Sequence, residues 1–336
     1  MKKDVLMIAH FCSDFDEKKG NNRFNFLAHF LSKNDMNVEL VTSDFSHSRK
    51  KKRMKVKMAD GYKVTLISEP VYTSNISLKR FYSHFVMGRN LEKYLNTRKV
   101  PDCIYCAVPS LDVARIAANY AKKHDVEFII DVQDLWPEAF KMVVDVPFIS
   151  ELLFYPMTKQ ADYVYSTADK VVAVSDTYIQ RVLSAQSDKE THCIYLGTEL
   201  SSFDEMANRN KLINKPKDEF WLAYIGTLGH SYNLPIVIDA LKILGDEGLR
   251  GIKFTVMGDG PLRAKFEHYA QSQDVPVEFT GMLEYGKMVG MLKACDVAVN
   301  PIRQGSAGSI INKVGDYAAA GLPVINTQQC QEYRDL

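Results

Sequence analysis

The feature that most constrains the fold of this chain is a regular alternation of short apolar runs with longer amphipathic segments. Runs such as 37–42 and 170–174 have the length and the valine content of buried strands. Segments such as 23–32 and 78–95 carry apolar residues three and four positions apart, which is the spacing of one helix face. Strands that alternate with helices predict βαβ units and parallel sheets, so we expect an α/β protein.

The alternation pauses in a polar stretch at about 197–220, which is rich in Asn and Lys and contains Pro216. It then restarts with a predicted strand at 221–225. A length of 336 residues fits two domains. We therefore predict a Rossmann-like N-terminal domain over 1–200, a linker over 201–219 and a Rossmann-like C-terminal domain over 220–336.

Charge and cysteine usage exclude several classes of protein. The net charge of +1 gives no reason to expect nucleic-acid binding. The six cysteines are scattered, unlike a secreted disulfide framework, and predict a reducing, cytoplasmic location. Cys103 and Cys106 have CxxC spacing, but they lie in an apolar run without a second ligand pair, so we interpret them as core residues and expect no metal. No apolar run has the length of a transmembrane helix.

Two glycine-containing turns follow predicted strands in the second half of the chain. The GTLG turn at 226–229 ends the strand 221–225, and backbone amides at such a turn suit a phosphate. The GDGP turn at 258–261 ends the strand 253–257. Glycine lets a backbone approach a ligand closely, but a tight strand-to-helix turn explains the GDGP pattern without any ligand.

A third motif lies at 305–325, where a loop of small residues leads into a predicted helix. Lys313 falls in the first turns of this helix, where a cation and free backbone N–H groups suit a diphosphate. Asp316, one turn further on, is placed to accept hydrogen bonds from a ribose diol. The alternative interpretation is a solvated Lys–Asp pair, spaced i,i+3 on a surface helix.

These motifs, in this order, resemble those of family 4 of the retaining glycosyltransferases, which have the GT-B fold of two facing Rossmann-like domains. The resemblance includes FTG at 279–281, ACDV at 294–297 and NKVGDYAAAGLPVI at 312–325. The segment DVQDLWPE at 131–138 is similar to an element of bacterial members that build capsule, exopolysaccharide and O-antigen. The resemblance covers nearly the whole chain. It implies a hexosyltransferase that uses a nucleotide-sugar donor, most commonly a UDP-sugar.

The resemblance also implies where the donor binds, on loops and a helix that follow strands of the C-terminal domain. The positions are Gly226, Thr227, Ser309 and Ile310 for the diphosphate, with Lys313 as its cation, Met282 and Leu283 for the nucleobase, and Asp316 for the ribose.

This sequence departs from the family pattern at the donor site. The first Glu of the E-x7-E pattern would fall at Gly308, and the Arg and Lys that many members carry after the first glycine loop are missing. Neutralisation of the diphosphate is therefore expected to rest on Lys313 and on backbone amides.

The resemblance implies transfer on the front face of the donor, with the leaving diphosphate helping to deprotonate the acceptor hydroxyl. The protein then positions the reactants and stabilises the leaving group. No nucleophilic carboxylate, metal or other cofactor is expected.

His10 and Asp134 are the catalytic candidates of the N-terminal domain. Both follow predicted strands, at the carboxyl ends where α/β sheets bind ligands. The alternatives are a surface or capping histidine at position 10 and an N-cap at position 134. The loop at 18–22 resembles the family's acceptor loop.

A basic run at 49–57 contains seven cationic residues in nine positions. Such a run is usually a solvated loop. The family, however, acts at anionic cytoplasmic membranes on lipid-linked saccharides, and each basic residue near such a surface contributes about 1 kcal/mol. We therefore expect peripheral membrane contact, assisted by the aromatic segment 80–89. The basic residues at the start of the run are Arg49, Lys50, Lys51, Lys52 and Arg53.

Three other functions compete with this one. A nucleotide-sugar-binding protein without turnover stays open, as does a GT-B relative such as an epimerase. A Rossmann oxidoreductase would carry GxGxxG near the N-terminus, whereas residues 8–22 contain only Gly20. The family's closing helix is expected to be missing after 332–336, and from that we expect weak interdomain coupling and little turnover.

Overall fold

The computed structural model describes residues 2–13, 15, 23–53, 58–59, 61–74, 77–141, 149–212, 215–304 and 312–335. These residues form two compact units, one ending at Tyr195 and the other starting at Leu196. No helix in these ranges is both long enough and apolar enough to cross a bilayer.

The first unit alternates strands with helices over most of its length. Its elements are β1 Asp4–Ile8, α1 Arg23–Lys33, β2 Asn37–Ser43, β3 Phe45–Ser46, β4 Lys51–Lys52, β5 Met58–Ala59, β6 Tyr62–Ile67, α2 Leu78–Leu95, β7 Cys103–Val108, α3 Leu111–His124, β8 Glu127–Val132, α4 Glu138–Lys141, α5 Ile149–Thr167, β9 Lys170–Ala173, α6 Asp176–Leu183 and β10 Glu190–Cys193.

Eight of these strands form one sheet in the order β10-β9-β8-β7-β1-β2-β6-β5. All its neighbours pair in parallel except β5, which is antiparallel to β6. Strand β1 lies centrally, and Leu6, Met7 and Ile8 are fully buried. Burial on both faces explains why this strand reads as a continuous apolar run. Because parallel strands end at one edge, β1, β7 and β8 bring the residues after them together.

The second unit has the same design on a smaller scale. Its elements are α7 Leu200–Arg209, β11 Phe220–Ile225, α8 Leu234–Asp246, β12 Ile252–Met257, α9 Arg263–Ser272, β13 Val277–Gly281, α10 Tyr285–Leu292, β14 Val297–Asn300, α11 Asn312–Ala320, β15 Val324–Asn326 and α12 Gln331–Arg334. The sheet order is β13-β12-β11-β14-β15, and every pair is parallel.

The periodicity predicted the long elements closely. Helix α2 has the predicted bounds, and α1, β2 and β9 each differ from the predicted segment by one residue at one end. The prediction of an α/β fold with parallel sheets is confirmed. The short strands β3, β4 and β5 and the edge strand β10 were not predicted, because two to four residues carry too little periodicity.

The segment predicted as a linker differs from the structure. Its first part is the helix α7, whose Phe203 and Ala207 are buried in the core of the second unit with Trp221. The units also divide after Tyr195, whereas the predicted domain boundary lies at 200. The polar composition of the segment reflects the exposed face of an amphipathic helix, which sequence reasoning took for a loop.

Candidate functional site

A cavity of about 280 Å³ opens at the carboxyl edge of the first unit's sheet. It contains both catalytic candidates of this unit. The residues that line it are His10, Phe11, Phe24, His47, Arg80, Ala107, Val108, Pro109, Ser110, Gln133, Asp134 and Trp136.

His10 is held at both ring nitrogens. Its Nδ1 lies 2.6 Å from Ser110 Oγ, and its Nε2 lies 2.7 Å from Glu69 Oε2. The side chains of His10 and Glu69 are each 1% exposed. A carboxylate accepts hydrogen bonds only, so Nε2 carries the proton and donates to Glu69. In the neutral ring Nδ1 then accepts, and Ser110 donates to it. The alternative of a surface histidine at position 10 is therefore wrong.

Aromatic rings form a wall of the same cavity. The Arg80 guanidinium lies 4.8 Å from the centre of the Trp136 ring and 5.6 Å from that of Phe11. His84 stacks on Trp136 from α2, with ring centres 5.7 Å apart. Burial lowers the pKa of His84 strongly, and burial together with Lys50 and Arg80 lowers the pKa of His47 to about 4, so both rings are neutral at pH 7.

The carboxylate of Asp134 faces its own chain neighbours. Its Oδ1 accepts from the Leu135 amide at 2.9 Å, and its Oδ2 accepts from the Trp136 indole at 3.2 Å. Burial raises its pKa. Helix α4 starts at Glu138, so Asp134 is not its N-cap. Asp134 therefore lines the cavity and also orients Trp136.

Asp131, the penultimate residue of β8, is a structural residue. It is fully buried, and its carboxylate accepts from Arg23 Nε at 2.7 Å and from the Tyr105 hydroxyl at 2.6 Å. These bonds satisfy a charge that would otherwise be costly in the interior.

Part of the basic run folds back onto the first unit. Lys52 Nζ lies 2.6 Å from both Asp44 Oδ1 and the Glu69 carbonyl oxygen. Arg53 donates to Thr42, and Lys50 lies over the Tyr72 ring. Arg49 and Lys51 are exposed, whereas residues 54–57 lie outside the described residues. Lys50, Lys52 and Arg53 thus contact other residues of the unit.

The two glycine turns of the second unit pack against each other. A Cβ on Gly258 would lie 1.8 Å from the Gly226 carbonyl oxygen, and one on Gly260 would lie 2.5 Å from that of Leu228. The Leu228 amide donates to the Asp259 carbonyl oxygen at 2.9 Å. Contact between backbones therefore requires Gly258 and Gly260, which supports the ligand-free explanation of the GDGP turn.

Lys313 is buried at the carboxyl end of β11 and is only 7% exposed. Its Nζ lies 4.0 Å from the ring centre of Tyr224 and 3.9 Å from that of Tyr232. Among the described residues it has no hydrogen-bond partner. Burial lowers its pKa to about 7. A Cβ on Gly226, whose φ is +127°, would lie 3.2 Å from Nζ, so the ammonium group borders the GTLG turn.

Asp316 lies one turn along α11. Its Oδ1 accepts from Thr198 Oγ1 at 2.9 Å and from the Tyr285 hydroxyl at 2.8 Å. Burial raises its pKa. No ion pair joins it to Lys313 in the part of the chain that the structure describes. The alternative of a solvated Lys–Asp pair is therefore wrong.

The other residues predicted to bind the donor differ in their exposure, and two of them lie outside the described residues. Thr227 is exposed, and its carbonyl oxygen accepts from the Tyr224 hydroxyl at 2.8 Å. Met282 is 84% exposed directly after β13, and Leu283 packs against the core. Ser309 and Ile310 lie outside the described residues, as does the predicted acceptor loop 18–22.

Sequence reasoning missed several residues at both sites. Glu69 and Ser110 hold His10, and Thr198 and Tyr285 hold Asp316. Ser110 had a local signal, because it follows β7 at the same sheet edge as His10. Glu69 gave none, since its role depends on a partner 59 positions away.

Comparison with known proteins agrees with this architecture. Residues 219–335 match the family described as "Glycosyl transferases group 1". An uncharacterised glycosyltransferase of Methanocaldococcus jannaschii is 24% identical over 144 residues. That alignment covers 42% of this chain and 37% of the relative, so it spans little more than a third of that protein's length.

Solved structures resemble nearly the whole chain. Anabaena HepE in complex with UDP and glucose has a TM-score of 0.58 and 13% identity, covering 99% of this chain and 82% of its own. The lipopolysaccharide outer core galactosyltransferase WaaB, in its apo form, has a TM-score of 0.62 and 16% identity, with coverage of 96% and 80%. The catalytic domain of Arabidopsis thaliana starch synthase IV, bound to ADP and acarbose, has a TM-score of 0.63 and 15% identity, with coverage of 97% and 83%.

These findings define the class of the protein. At such identities the structural similarity establishes the fold, which is GT-B. Residues 219–335, most of the second unit, match the glycosyl transferase group 1 family. The chain therefore has the fold and the characteristic domain of a glycosyltransferase enzyme.

Proposed function

We propose that this chain is a retaining glycosyltransferase that moves a sugar from a UDP-sugar to a lipid-linked saccharide of a bacterial surface polysaccharide. The observation that carries the proposal is the ammonium group of Lys313. It lies in the interior of a glycosyl transferase group 1 domain, and no carboxylate pairs with it among the described residues.

A buried cation without a counter-ion is costly and calls for an anionic ligand. Lys313 borders Gly226 at the carboxyl end of a central parallel strand, where α/β sheets bind ligands. The positive φ of Gly226 and its missing side chain leave the approach to Nζ open. The donor diphosphate is an anion that suits this position.

Asp316 and Met282 support binding of the ribose and the base of the same nucleotide. Thr198 and Tyr285 both donate to Asp316 Oδ1, and no hydrogen bond to Oδ2 is found among the residues that the structure describes. A ribose diol is a suitable donor to that second oxygen. The exposed Met282 provides an apolar contact for a base. UDP is preferred because HepE was crystallised with UDP and with UDP-glucose.

The first unit supports an amphipathic acceptor. The cavity with His10 and Asp134 presents aromatic rings, which suit the apolar faces of a saccharide. From Trp136, ring contacts continue through Phe140 to Phe81 and Phe154 on α2 and α5. Around these rings, large apolar side chains are exposed. They are Leu78, Tyr82 and Phe85 on α2 and Leu152, Leu153 and Tyr155 on α5.

Exposed aromatic and leucine side chains beside basic residues suit the interfacial region of a membrane. Lys51 is exposed, and its cation suits contact with anionic headgroups. We therefore place the protein at the cytoplasmic face of a membrane. WaaB, a lipopolysaccharide galactosyltransferase, supports an acceptor of this kind.

Donor binding is tested first by thermal unfolding with UDP, GDP, UDP-glucose, UDP-galactose, UDP-GlcNAc and GDP-mannose. A ligand that binds only the folded protein raises the melting temperature. We expect a rise with the uridine series, its loss in Lys313→Met and Asp316→Ala, and its retention in Lys242→Met, a control at an exposed lysine of α8. No rise with any nucleotide contradicts the proposal.

Turnover is tested separately, by release of UDP from the donor that binds. The anomeric configuration of the transferred sugar, followed by NMR, distinguishes retention from inversion. Binding without release of UDP in the presence of saccharide acceptors favours a nucleotide-sugar-binding protein over an enzyme.

A further inference from the structure

Lys313 is a buried lysine whose surroundings in the second unit do not suit a permanent charge. It is 7% exposed, and its Nζ has no hydrogen-bond partner among the described residues. An amine that is removed from water without a counter-ion favours its neutral form. We propose that the second unit takes up a proton on Lys313 when it binds the diphosphate of the nucleotide-sugar donor.

The contacts of Nζ are the first argument. It lies 4.0 Å from the ring centre of Tyr224 on β11 and 3.9 Å from that of Tyr232, which precedes α8. Aromatic faces attract a cation, but they compensate only part of the cost of removing an ammonium group from water. The two rings therefore hold the amine in position and leave its protonation open to a ligand.

The other ring hydroxyls around this position are the second argument, because none of them supplies a negative charge. Tyr317 of α11 lies beside Tyr224, and Tyr333 of α12 lies beside Tyr232. Burial raises the pKa of all four tyrosines. Their hydroxyl groups therefore stay neutral over the pH range in which Lys313 titrates.

The charged residues nearby do not pair with Lys313 either. The Asp316 carboxylate, one turn along α11, accepts hydrogen bonds from two hydroxyl groups, and no ion pair joins it to Lys313 within the described ranges. The side chain of Arg303 is exposed. The segment 305–311 lies outside the described residues, and its sequence, GSAGSII, contains no titratable side chain. A counter-charge for Lys313 therefore has to come from a ligand.

The approach to Nζ is the third argument. A Cβ on Gly226 would lie 3.2 Å from Nζ, so the missing side chain leaves room for a ligand atom there. Gly226 follows β11, at the edge of the sheet where α/β proteins bind ligands. A diphosphate at this edge places negative charge next to the amine, and a neighbouring opposite charge favours the protonated form.

The direction of the pH dependence follows from these two states. Burial lowers the pKa of Lys313 to about 7 in the free protein, and a bound diphosphate raises it again. Between the two pKa values the complex holds more protons than the free protein, so affinity falls as pH rises. With a free pKa near 7, the Kd of UDP-glucose rises about 25-fold from pH 6.5 to pH 8.5.

This inference rests on the proposed function, and the experiment separates the two. UDP-glucose is titrated into the full chain by calorimetry at pH 6.5, 7.5 and 8.5, in buffers that differ in ionisation enthalpy. The ligand lacks the phosphate monoester that titrates near neutral pH, so its own charge stays constant. The change of binding enthalpy with the buffer gives the number of protons taken up.

We expect the wild type to take up about 0.25 proton at pH 6.5 and about 0.75 proton at pH 7.5. Lys313→Arg keeps a permanent cation, so we expect it to bind UDP-glucose without proton uptake and with a Kd that changes less than about 3-fold over this range. Lys287→Met, at an exposed lysine of α10, is the control and should behave like the wild type. Melting temperatures show that each variant is folded.

Carbon-13 NMR of lysines labelled at Cε gives a check on the free protein. The Lys313 signal is assigned by its loss in Lys313→Met. We expect its titration midpoint near pH 7 without ligand and above about pH 9 with saturating UDP-glucose. A midpoint above about pH 9 in the free protein overturns the inference.

Binding of UDP-glucose with no proton uptake at pH 7.5, or with the same Kd at pH 6.5 and 8.5, overturns the inference and leaves the proposed function intact. Proton uptake of wild-type size in Lys313→Arg also overturns it, because another group would then be titrating. Absence of UDP-glucose binding at every pH overturns the proposed function and the inference with it. If Lys313→Arg fails to fold, the wild-type calorimetry and the NMR midpoint decide.

Discussion

Replacing Lys313 with Met is expected to stabilise the second unit while removing its response to UDP. Burial lowers the pKa of Lys313 from 10.5 to about 7. Each pKa unit corresponds to about 1.4 kcal/mol, so a charged Lys313 costs the folded state about 5 kcal/mol below pH 7. Methionine has a similar length and packs well against the rings of Tyr224 and Tyr232.

The sign of the pH dependence follows from the lowered pKa. Between pH 7 and 10.5 the unfolded chain holds a proton on Lys313 that the folded chain has lost, so wild-type stability rises with pH over this window. The gain from Lys313→Met therefore shrinks with rising pH. We expect about 4 kcal/mol at pH 7 and about 1.5 kcal/mol at pH 9.5.

Urea unfolding followed by tryptophan fluorescence measures this difference. The chain has two tryptophans, Trp136 in the first unit and Trp221 in the second, so a Trp136→Phe background reports on the second unit alone. Lys287→Met, at an exposed position of α10, is the control and is expected to change stability by less than about 0.5 kcal/mol. A Lys313→Met variant less stable than wild type at pH 7, or a gain that is the same at both pH values, refutes the reasoning.

Three further outcomes are expected. Gly258→Ala should lower the free energy of unfolding by about 3 kcal/mol in urea titration, because its Cβ would lie 1.8 Å from the Gly226 carbonyl oxygen. Gly197→Ala is the control and should be nearly neutral, since the space around Gly197 is open. Arg23→Met should lower the free energy of unfolding by about 3–5 kcal/mol in the same titration, because it removes the guanidinium that pairs with the buried Asp131 carboxylate. A decrease below about 1 kcal/mol contradicts that account. Phe85→Ser should weaken co-sedimentation with vesicles that contain anionic lipid, while Phe220→Ser, at a similarly exposed position of the second unit, should not. Binding that is independent of anionic lipid argues against the membrane proposal.

The fold was predictable because its signals are local. The apolar run of β1 and the helical spacing of α2 act through neighbours along the chain, so single segments carried the prediction. The helix α7 was missed because its polar face resembles a linker. Its assignment depends on the burial of Phe203 against a strand that follows later in the chain.

The candidate sites were predictable only in part. Parallel strands end at one edge, so His10, Asp134 and Gly226 were placed correctly on the sheets by their position after strands. Their chemical roles depended on partners that no local pattern reveals. The i,i+3 spacing of Lys313 and Asp316 left a solvated surface pair open beside the donor-binding interpretation. In the structure Lys313 is buried between two tyrosines, and Asp316 is held by Thr198, 118 positions away.

The sequence by itself determined the alternation of strands and helices, the two-unit organisation and the resemblance to glycosyltransferases, because these depend on periodicity and on ordered motifs along the chain. The tertiary structure decided which side chains meet. Glu69, His10 and Ser110 come together across 59 and 100 positions because hydrogen bonding in a buried cavity depends on distance in space, and sequence separation does not encode that distance.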